Sequence, residues 1–337
     1  MTTNTLDLMD KFVINENVNF NAQLKKFNES KKIKFLFLRC RKEPSWFVDV
    51  NKIWGPDTEA EYITDVLTDD GSNNNNIEFL SIPKYFDFRL INGCTILAYS
   101  SNEYDVNYIN HVVVHLKPTV LLHLSDETGA RPEYIHVFNK VKLVYRQYKF
   151  LYKKEFSGEN KSSIKYLPLG YHSWDKKYYR TNHISIDKKK YRWCYSGTPK
   201  NNRLKCIEKL SFIKPNFVKR TGAFETTIMY QNSVFAFCPE GNVGLETNRI
   251  YGAIFNGCIP IILTDKFKME NFKTTFEIPV PFFFATNLNE VINIIQNTPI
   301  NVIIKTRNEC FKWIKDISNV IRTNIITACT INKLCMN

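Results

Sequence analysis

Hydrophobic residues in the first half of the chain occur as short continuous runs, and segments with helical spacing lie between them. The clearest runs are Lys32–Cys40, Cys94–Ser101 and Pro118–Ser125. Continuous apolar runs of this length are typical of strands that are buried on both faces of a sheet. Residues 58–67 and 102–116 place their apolar side chains at helical spacing. The alternation predicts a parallel sheet that is covered by helices.

The same alternation of predicted strands and helices continues through the rest of the chain. Further strands are predicted at 77–82, 140–148, 164–171, 191–197, 216–222, 233–239 and 259–265, and further helices at 201–213, 224–232, 245–257 and 287–327. Residues 175–190 have no apolar periodicity and are interpreted as a crossing between two halves. The predicted fold class is α/β, with two doubly wound Rossmann-like domains that face a cleft.

The predicted domain organisation follows from this alternation and from the length of the chain. A chain of 337 residues, 44% of them hydrophobic, can form two domains with a sizeable core. We predict an N-terminal extension at 1–30, a first domain at 31–180, a second domain at 190–320 and a C-terminal tail at 321–337.

The net charge of +13 predicts an anionic partner. The basic residues are densest between Lys188 and Arg220. Nucleic acid, a phosphorylated small molecule and a merely solvated surface all fit this charge. The sequence has no helix-turn-helix pattern, zinc finger or RNP-like strand, so we predict no nucleic-acid partner and keep a basic nucleic-acid-binding protein as an alternative.

The cysteines and the first residues bear on the compartment. The nine cysteines include no C-x-x-C pair, which favours buried thiols in a reducing compartment over a zinc site. The first twenty residues lack the charged flank and apolar core of a signal peptide or anchor. No apolar run is long enough to span a bilayer. A soluble cytoplasmic protein is expected, and nothing in the sequence indicates its oligomeric state.

Two junctions between a strand and a helix in the second half carry residues suited to an anion. Ligands of open α/β sheets bind at the carboxyl ends of strands, and helix N-termini favour negative charge. Arginine holds diphosphate oxygens bidentately, and a glutamate can accept hydrogen bonds from a ribose, a role open to Glu240 or Glu246. The candidate donor-binding residues are Gly197, Lys200, Arg203, Arg220, Glu240, Gly241, Glu246, Thr247, Asn248 and Arg249.

A structural interpretation of these junctions fits the spacing equally well. In it, Arg249 is a surface residue of a helix and the glycines only end strands. Neither junction matches G-x-G-x-x-G or a P-loop, which disfavours ordinary dinucleotide or ATP binding.

The segment CPEGNVGLETNRIYGAIFNGCIPIIL, residues 238–263, resembles the most characteristic segment of exostosin-type glycosyltransferases. In that family a C-P-x-G strand end leads to an arginine-bearing helix and then to G-C-x-P-V-I. The positions in register are Cys238, Pro239, Gly241, Arg249, Ala253, Gly257, Cys258 and Pro260. The earlier segment YSGTPKNNR is similar to the family's F-x-G…R element, with Gly197 and Arg203 in place. The resemblance is strong over Ser196–Asp265 and weaker over Pro118–Tyr171.

The resemblance implies a GT-B fold with the donor nucleotide on the C-terminal domain and the acceptor on the first. It implies inverting transfer of a sugar from a UDP-sugar, of xylose, galactose or glucuronate type, to a glycan or glycoprotein hydroxyl. A GT-B enzyme that resembles fucosyltransferases and uses GDP-fucose is an alternative.

The chemistry of sugar transfer adds two expectations. No D-x-D sequence occurs in the chain, so arginines and helix N-termini must stabilise the leaving diphosphate, and no metal or other cofactor is expected. Inversion needs one general base. Asp126 and Glu127, which follow an apolar strand, are the candidate catalytic pair, and helix capping is the alternative role. Candidate residues lining the acceptor side of the cleft are Arg131, Arg146 and His172.

Overall fold

The first half of the chain forms a parallel sheet. The computed structural model describes residues 20–38, 60–68, 76–83, 86–100, 104–125, 132–148, 163–170, 183–198, 202–219, 222–241 and 244–334. The strands are β1 Ile33–Leu38, β2 Ile77–Ile82, β3 Ile96–Ser100, β4 Val120–Leu124, β5 Leu143–Arg146 and β6 Ser163–Tyr166, in the order β2-β1-β3-β4-β5-β6. The helices are α1 (20–29), α2 Ala60–Thr68, α3 Val106–Leu116 and α4 Ile135–Phe138.

Both faces of this first sheet are buried, which explains the continuous apolar runs. Along β1, Phe35 and Phe37 pack into one hydrophobic cluster, while Leu36 and Leu38 pack into another on the opposite face. Phe27 of α1 is fully buried in the second cluster. The predicted extension at 1–30 therefore contributes a helix to the first domain.

The second half forms a second parallel sheet. Its strands are β7 Tyr191–Tyr195, β8 Asn216–Val218, β9 Ser233–Phe237, β10 Ile259–Leu263 and β11 Phe283–Ala285, in the order β11-β10-β9-β7-β8. Its helices are α5 Asn202–Leu210, α6 Ala223–Gln231, α7 Asn248–Phe255, α8 Lys266–Lys273 and α9 Leu288–Asn297. Two of these elements were not predicted from the sequence, because α8 is mostly polar and β11 has only three residues. The predicted α/β class with two parallel sheets is confirmed.

The order of the strands indicates where a ligand would bind in each sheet. In the second sheet β7 lies between β8 and β9. The chain therefore reverses its direction of travel between β7 and β9, and the first sheet does the same between β1 and β3. Open α/β sheets bind ligands beyond the carboxyl ends of the strands at such a switch point.

The last helix, α10 Ile300–Leu334, joins the two halves. It contacts α2 and β4 of the first half and α7 and β10 of the second half. Its buried residues Trp313, Ile317 and Ile321 belong to a hydrophobic cluster that contains side chains of both sheets. The predicted boundary at residue 320 lies within this continuous helix, and the division into domains otherwise stays a prediction.

Two further features concern the thiols and the helices. Every cysteine in the described ranges is a free thiol, and Cys206 alone among these is not fully buried. Within the same ranges, no helix combines the length and the apolar character needed to cross a membrane.

Candidate functional site

Two loops meet at the switch point of the second sheet, because β7 pairs directly with β9. One loop follows Tyr195 and contains Gly197, and the other follows Phe237 and leads to Arg249. Gly197 has a φ of +146°, a conformation that favours glycine. A Cβ atom at this position would lie 3.2 Å from Nη1 of Arg249 and 3.0 Å from the Tyr195 hydroxyl oxygen. The glycine therefore permits the close approach of the arginine to the first loop.

Arg249 is held in place by a main-chain oxygen and an aromatic ring, with no acidic partner in the part of the chain that the structure describes. Its Nη2 donates a hydrogen bond to the main-chain oxygen of Pro239 at 3.1 Å. Its guanidinium carbon lies 5.8 Å from the centre of the Tyr195 ring, a cation–π distance. Its Nε is buried and makes no hydrogen bond to any residue that the structure describes. A cation with donors to spare thus sits at the carboxyl edge of the sheet.

The N-terminus of α7, on the same edge, has no side-chain cap. Thr247 is the N-cap residue, but its side chain makes no capping hydrogen bond. Its Oγ1 is buried and has no hydrogen-bond partner within the described part of the chain. Asn248 is the first residue of the helix, and Arg249 the second. The first main-chain N–H groups of a helix have no partner within the helix, so these groups, the helix dipole and the guanidinium would together suit an anion.

The loop before α7 is tight. The N–H of Gly241 donates to the carbonyl oxygen of Gly244 at 2.6 Å. A Cβ atom at Gly241 would lie 3.1 Å from that oxygen and 3.1 Å from Cγ2 of Thr247. A side chain at Gly241 would therefore displace Thr247.

The two acids of this loop have different surroundings. The Glu240 side chain is 36% exposed, accepts a hydrogen bond from Thr264 Oγ1 at 2.8 Å and pairs with Lys268 at 3.0 Å. The hydrogen bond that Lys268 donates to Glu240 raises the pKa of the Lys268 ammonium. The main-chain oxygen of Glu240 accepts from Nε of Arg203 at 3.0 Å, which ties the start of α5 to this loop. Glu240 is thus an accessible, oriented carboxylate at the edge of the site.

Glu246 is buried instead, with 2% of its surface exposed. Its Oε1 accepts hydrogen bonds from the main-chain N–H of Leu169 at 2.9 Å and from the Tyr251 hydroxyl. Burial raises the pKa of the carboxyl to about 8, although these two hydrogen bonds lower it. A carboxyl enclosed in this way is not open to a ribose. Of the two predicted ribose ligands, Glu240 is the one whose environment suits the role.

The structure brings most of the predicted donor-binding residues together and corrects one prediction for the acceptor side. Arg146 was expected to line the cleft, yet it is 1% exposed, with its guanidinium carbon 5.9 Å from the Phe138 ring. A side chain that is buried among core residues cannot line an open cleft. The predicted site residues that lie outside the described residues are Asp126, Glu127, Arg131, His172, Lys200 and Arg220.

The sequence patterns missed a polar arrangement at the end of β4. Ser125 has a φ of +55°, and its N–H donates to Oε1 of Gln147 at 2.7 Å. Gln147 is fully buried, and its Nε2 makes no hydrogen bond within the described ranges. Nearby, the Tyr99 hydroxyl and Nδ1 of His123 are 2.7 Å apart. In the sequence, this arrangement could have been sought among the polar residues at the ends of buried strands. The sequence does not show which of these residues lie close together, because that depends on how the strands pair in the sheet.

The chain matches no protein-family model and no curated protein. Among solved structures, it resembles an alpha-glucosyltransferase in complex with UDP and a 13-mer DNA containing an HMU base, with a TM-score of 0.56, 10% identity, and coverage of 89% of this chain and 100% of the other. It also resembles the DNA modifying enzyme beta-glucosyltransferase (TM-score 0.43, 13% identity, coverage 89% of this chain and 98% of the other) and HepE from Anabaena in complex with UDP and glucose (TM-score 0.44, 11% identity, coverage 90% and 99%).

These likenesses bear on the fold. Of the three, the alpha-glucosyltransferase complex has a TM-score above 0.5, and at 10% identity it shows the architecture alone. The protein has the GT-B arrangement of two Rossmann-like domains, as the sequence predicted.

Proposed function

We propose that this protein is a glycosyltransferase that uses a UDP-sugar. The observation that carries the proposal is the placement of Arg249, which packs against Gly197 in the uncapped first turn of α7, at the switch point of the second sheet. A sugar–diphosphate bond breaks more easily when cationic and dipolar groups stabilise the charge that grows on the leaving diphosphate. Arg249, Thr247 and the first N–H groups of α7 would do this. Glu240 would accept hydrogen bonds from the ribose.

The finer parts of the proposal rest on the resemblance to exostosin-type enzymes. We infer inverting transfer of a xylose-, galactose- or glucuronate-type sugar to a glycan or glycoprotein hydroxyl, without a metal. Asp126 or Glu127 would act as the general base. DNA is a second candidate acceptor, because the net charge is +13 and the alpha-glucosyltransferase structure of similar fold contains DNA.

Donor binding is the first test. Thermal unfolding should shift upwards with UDP and UDP-sugars, because a ligand that binds only the folded state stabilises it. GDP should give a smaller shift. A larger shift with GDP would favour the fucosyltransferase-like alternative. No shift with either nucleotide, and no release of UDP from any UDP-sugar, would contradict the proposal.

Turnover tests the acceptor and the metal. UDP release from the best donor is expected to rise with a glycan acceptor and to persist in excess EDTA, because cationic side chains take the place of a metal. Loss of activity in EDTA that added manganese restores would contradict the metal-free mechanism. Faster turnover with DNA, falling steeply with salt, would identify DNA as the acceptor.

Gly197→Ala is expected to weaken UDP binding about tenfold or more. The new methyl group would lie 3.2 Å from Nη1 of Arg249, on a backbone conformation that alanine rarely adopts. Titration calorimetry with UDP measures the effect. Gly222→Ala is the matched control, because no atom lies within 4 Å of the added Cβ. Equal UDP affinities in the two variants would show that Gly197 does not shape the site.

A further inference from the structure

The buried Glu246 carboxyl bridges the two halves of the protein. Leu169, whose N–H it accepts at 2.9 Å, follows β6 of the first sheet. Tyr251, whose hydroxyl it also accepts, belongs to α7 of the second half. One side chain thus receives hydrogen bonds from both domains, in a position closed to solvent.

The first-domain end of this bridge is fixed. The N–H of Leu167 donates to the main-chain oxygen of Arg146 at 2.9 Å, which continues the pairing of β5 with β6. Gly170 has a φ of +65°, and a Cβ atom there would lie 2.2 Å from the ring of Tyr62 in α2. The segment Leu167–Gly170 is therefore packed too closely to move apart from its own domain.

The second-domain end leads directly to the anion site. Glu246 precedes the N-cap residue Thr247 and lies three residues before Arg249. Tyr251 is stacked on Trp313 of α10, with ring centroids 6.3 Å apart. The link from Glu246 to Leu169 therefore joins the first domain to the helix that carries the guanidinium.

We propose that Glu246 is a positioning residue, which ties the Leu167–Gly170 segment to the start of α7 and so sets the place of Arg249 relative to the first domain. This inference rests on the proposed function, in which one domain binds the donor and the other the acceptor. Productive transfer needs the two substrates aligned to within a fraction of an ångström, so a fixed link between the domains acts on the rate. It has little effect on the affinity for either substrate alone.

The protonation state of the Glu246 carboxyl makes the link between the two domains depend on pH. Burial holds the pKa of Glu246 at about 8, against the ordinary value of 4.5. The ionisable groups that face it are Tyr251 of α7 and Tyr62 of α2, and burial raises the pKa of both phenols above the ordinary value. An acid whose pKa is raised in the closed form contributes stability that is complete below about pH 4.5 and lost as the pH rises through about 8. The bridge should therefore weaken progressively between about pH 4.5 and about pH 8.

The experiment compares Glu246→Gln and Glu246→Ala in the full chain. The alanine variant should lower kcat about tenfold or more, leave the Kd for UDP within about threefold, and reduce the hydrogen-exchange protection of the Leu169 amide. The glutamine variant keeps an acceptor oxygen without the charge. It should restore that protection, and it should abolish the loss of protection that the unmodified protein shows between about pH 4.5 and about pH 8.

Glu277→Gln is the matched control. Glu277 pairs with Lys165 of β6 at 2.9 Å, across the same boundary, but its side chain is 53% exposed. An exposed pair contributes little, so kcat and Leu169 protection should stay as in the unmodified protein.

Three results would overturn the inference. UDP affinity lost together with kcat would make Glu246 a donor ligand. A lower unfolding temperature with unchanged kcat would make it a structural residue only. Unchanged Leu169 protection in the alanine variant would show that no link exists. The exchange measurement needs neither UDP nor turnover, so it separates failure of this inference from failure of the proposed function, in which the unmodified protein would not bind UDP.

Discussion

Replacing Arg249 with alanine is expected to lower turnover by about a hundredfold or more and to weaken UDP binding. A charge-assisted contact to a leaving diphosphate stabilises the transition state by a few kcal/mol. Each 1.36 kcal/mol of this stabilisation that is lost lowers the rate about tenfold. The variant also loses the hydrogen bond to Pro239 and the contact with the Tyr195 ring. A small fall in unfolding temperature is therefore expected too. Steady-state kinetics and titration calorimetry with UDP measure the two main effects.

Arg192 offers a matched control for this substitution. Its guanidinium also donates to main-chain oxygens, those of Ile295 and Thr298, and lies 5.1 Å from the ring of Phe235. It belongs to the amino end of β7, the edge of the sheet opposite the proposed site. Arg192→Ala should lower the unfolding temperature and leave UDP affinity unchanged. The same pattern in Arg249→Ala would mean that Arg249 serves the fold and not the donor.

Arg249→Lys separates charge from geometry. Lysine keeps the positive charge but lacks the planar fork that binds two oxygens at once. The structure adds a second requirement, because Nη2 must reach Pro239 while other donors stay available. Lysine should therefore recover little of the lost rate. Full recovery would show that a point charge near α7 is sufficient.

Replacing either member of the proposed catalytic pair is expected to have the other large effect. Either Asp126→Asn or Glu127→Gln should lower kcat by orders of magnitude, because an amide cannot take the proton of the acceptor hydroxyl. UDP affinity should stay nearly unchanged, since a base acts in the transition state and does not hold the donor. Calorimetry and single-turnover kinetics on both variants test this.

Near-normal rates in both amides would place the base elsewhere. Glu103 and Asp105, after β3, are the next candidates by sequence. Asp105 is engaged as the N-cap of α3, where its carboxylate accepts the N–H of Tyr108 at 2.8 Å. Its replacement by alanine should cost about 1 kcal/mol of stability, as for other N-caps. Glu103 would then be the acid to test first.

The sequence by itself determined the fold class of this protein. Strands such as β1 and β9 are continuous apolar runs because the sheets are covered on both faces, and that pattern is local. The segment Cys238–Leu263 likewise indicated a strand, a tight loop and an arginine-bearing helix, each visible within a few residues. Where local pattern was weak, in polar α8 and three-residue β11, the prediction failed.

Only the tertiary structure decided which polar residues meet. Glu240 and Glu246 are six residues apart and equally acidic in the sequence, yet one faces solvent beside Lys268 and the other is buried against Leu169. Arg146 gave no local sign that it would be buried. Long-range partners set the environment of a charged side chain, because the cost of burial depends on the donors and acceptors that the rest of the chain brings to it.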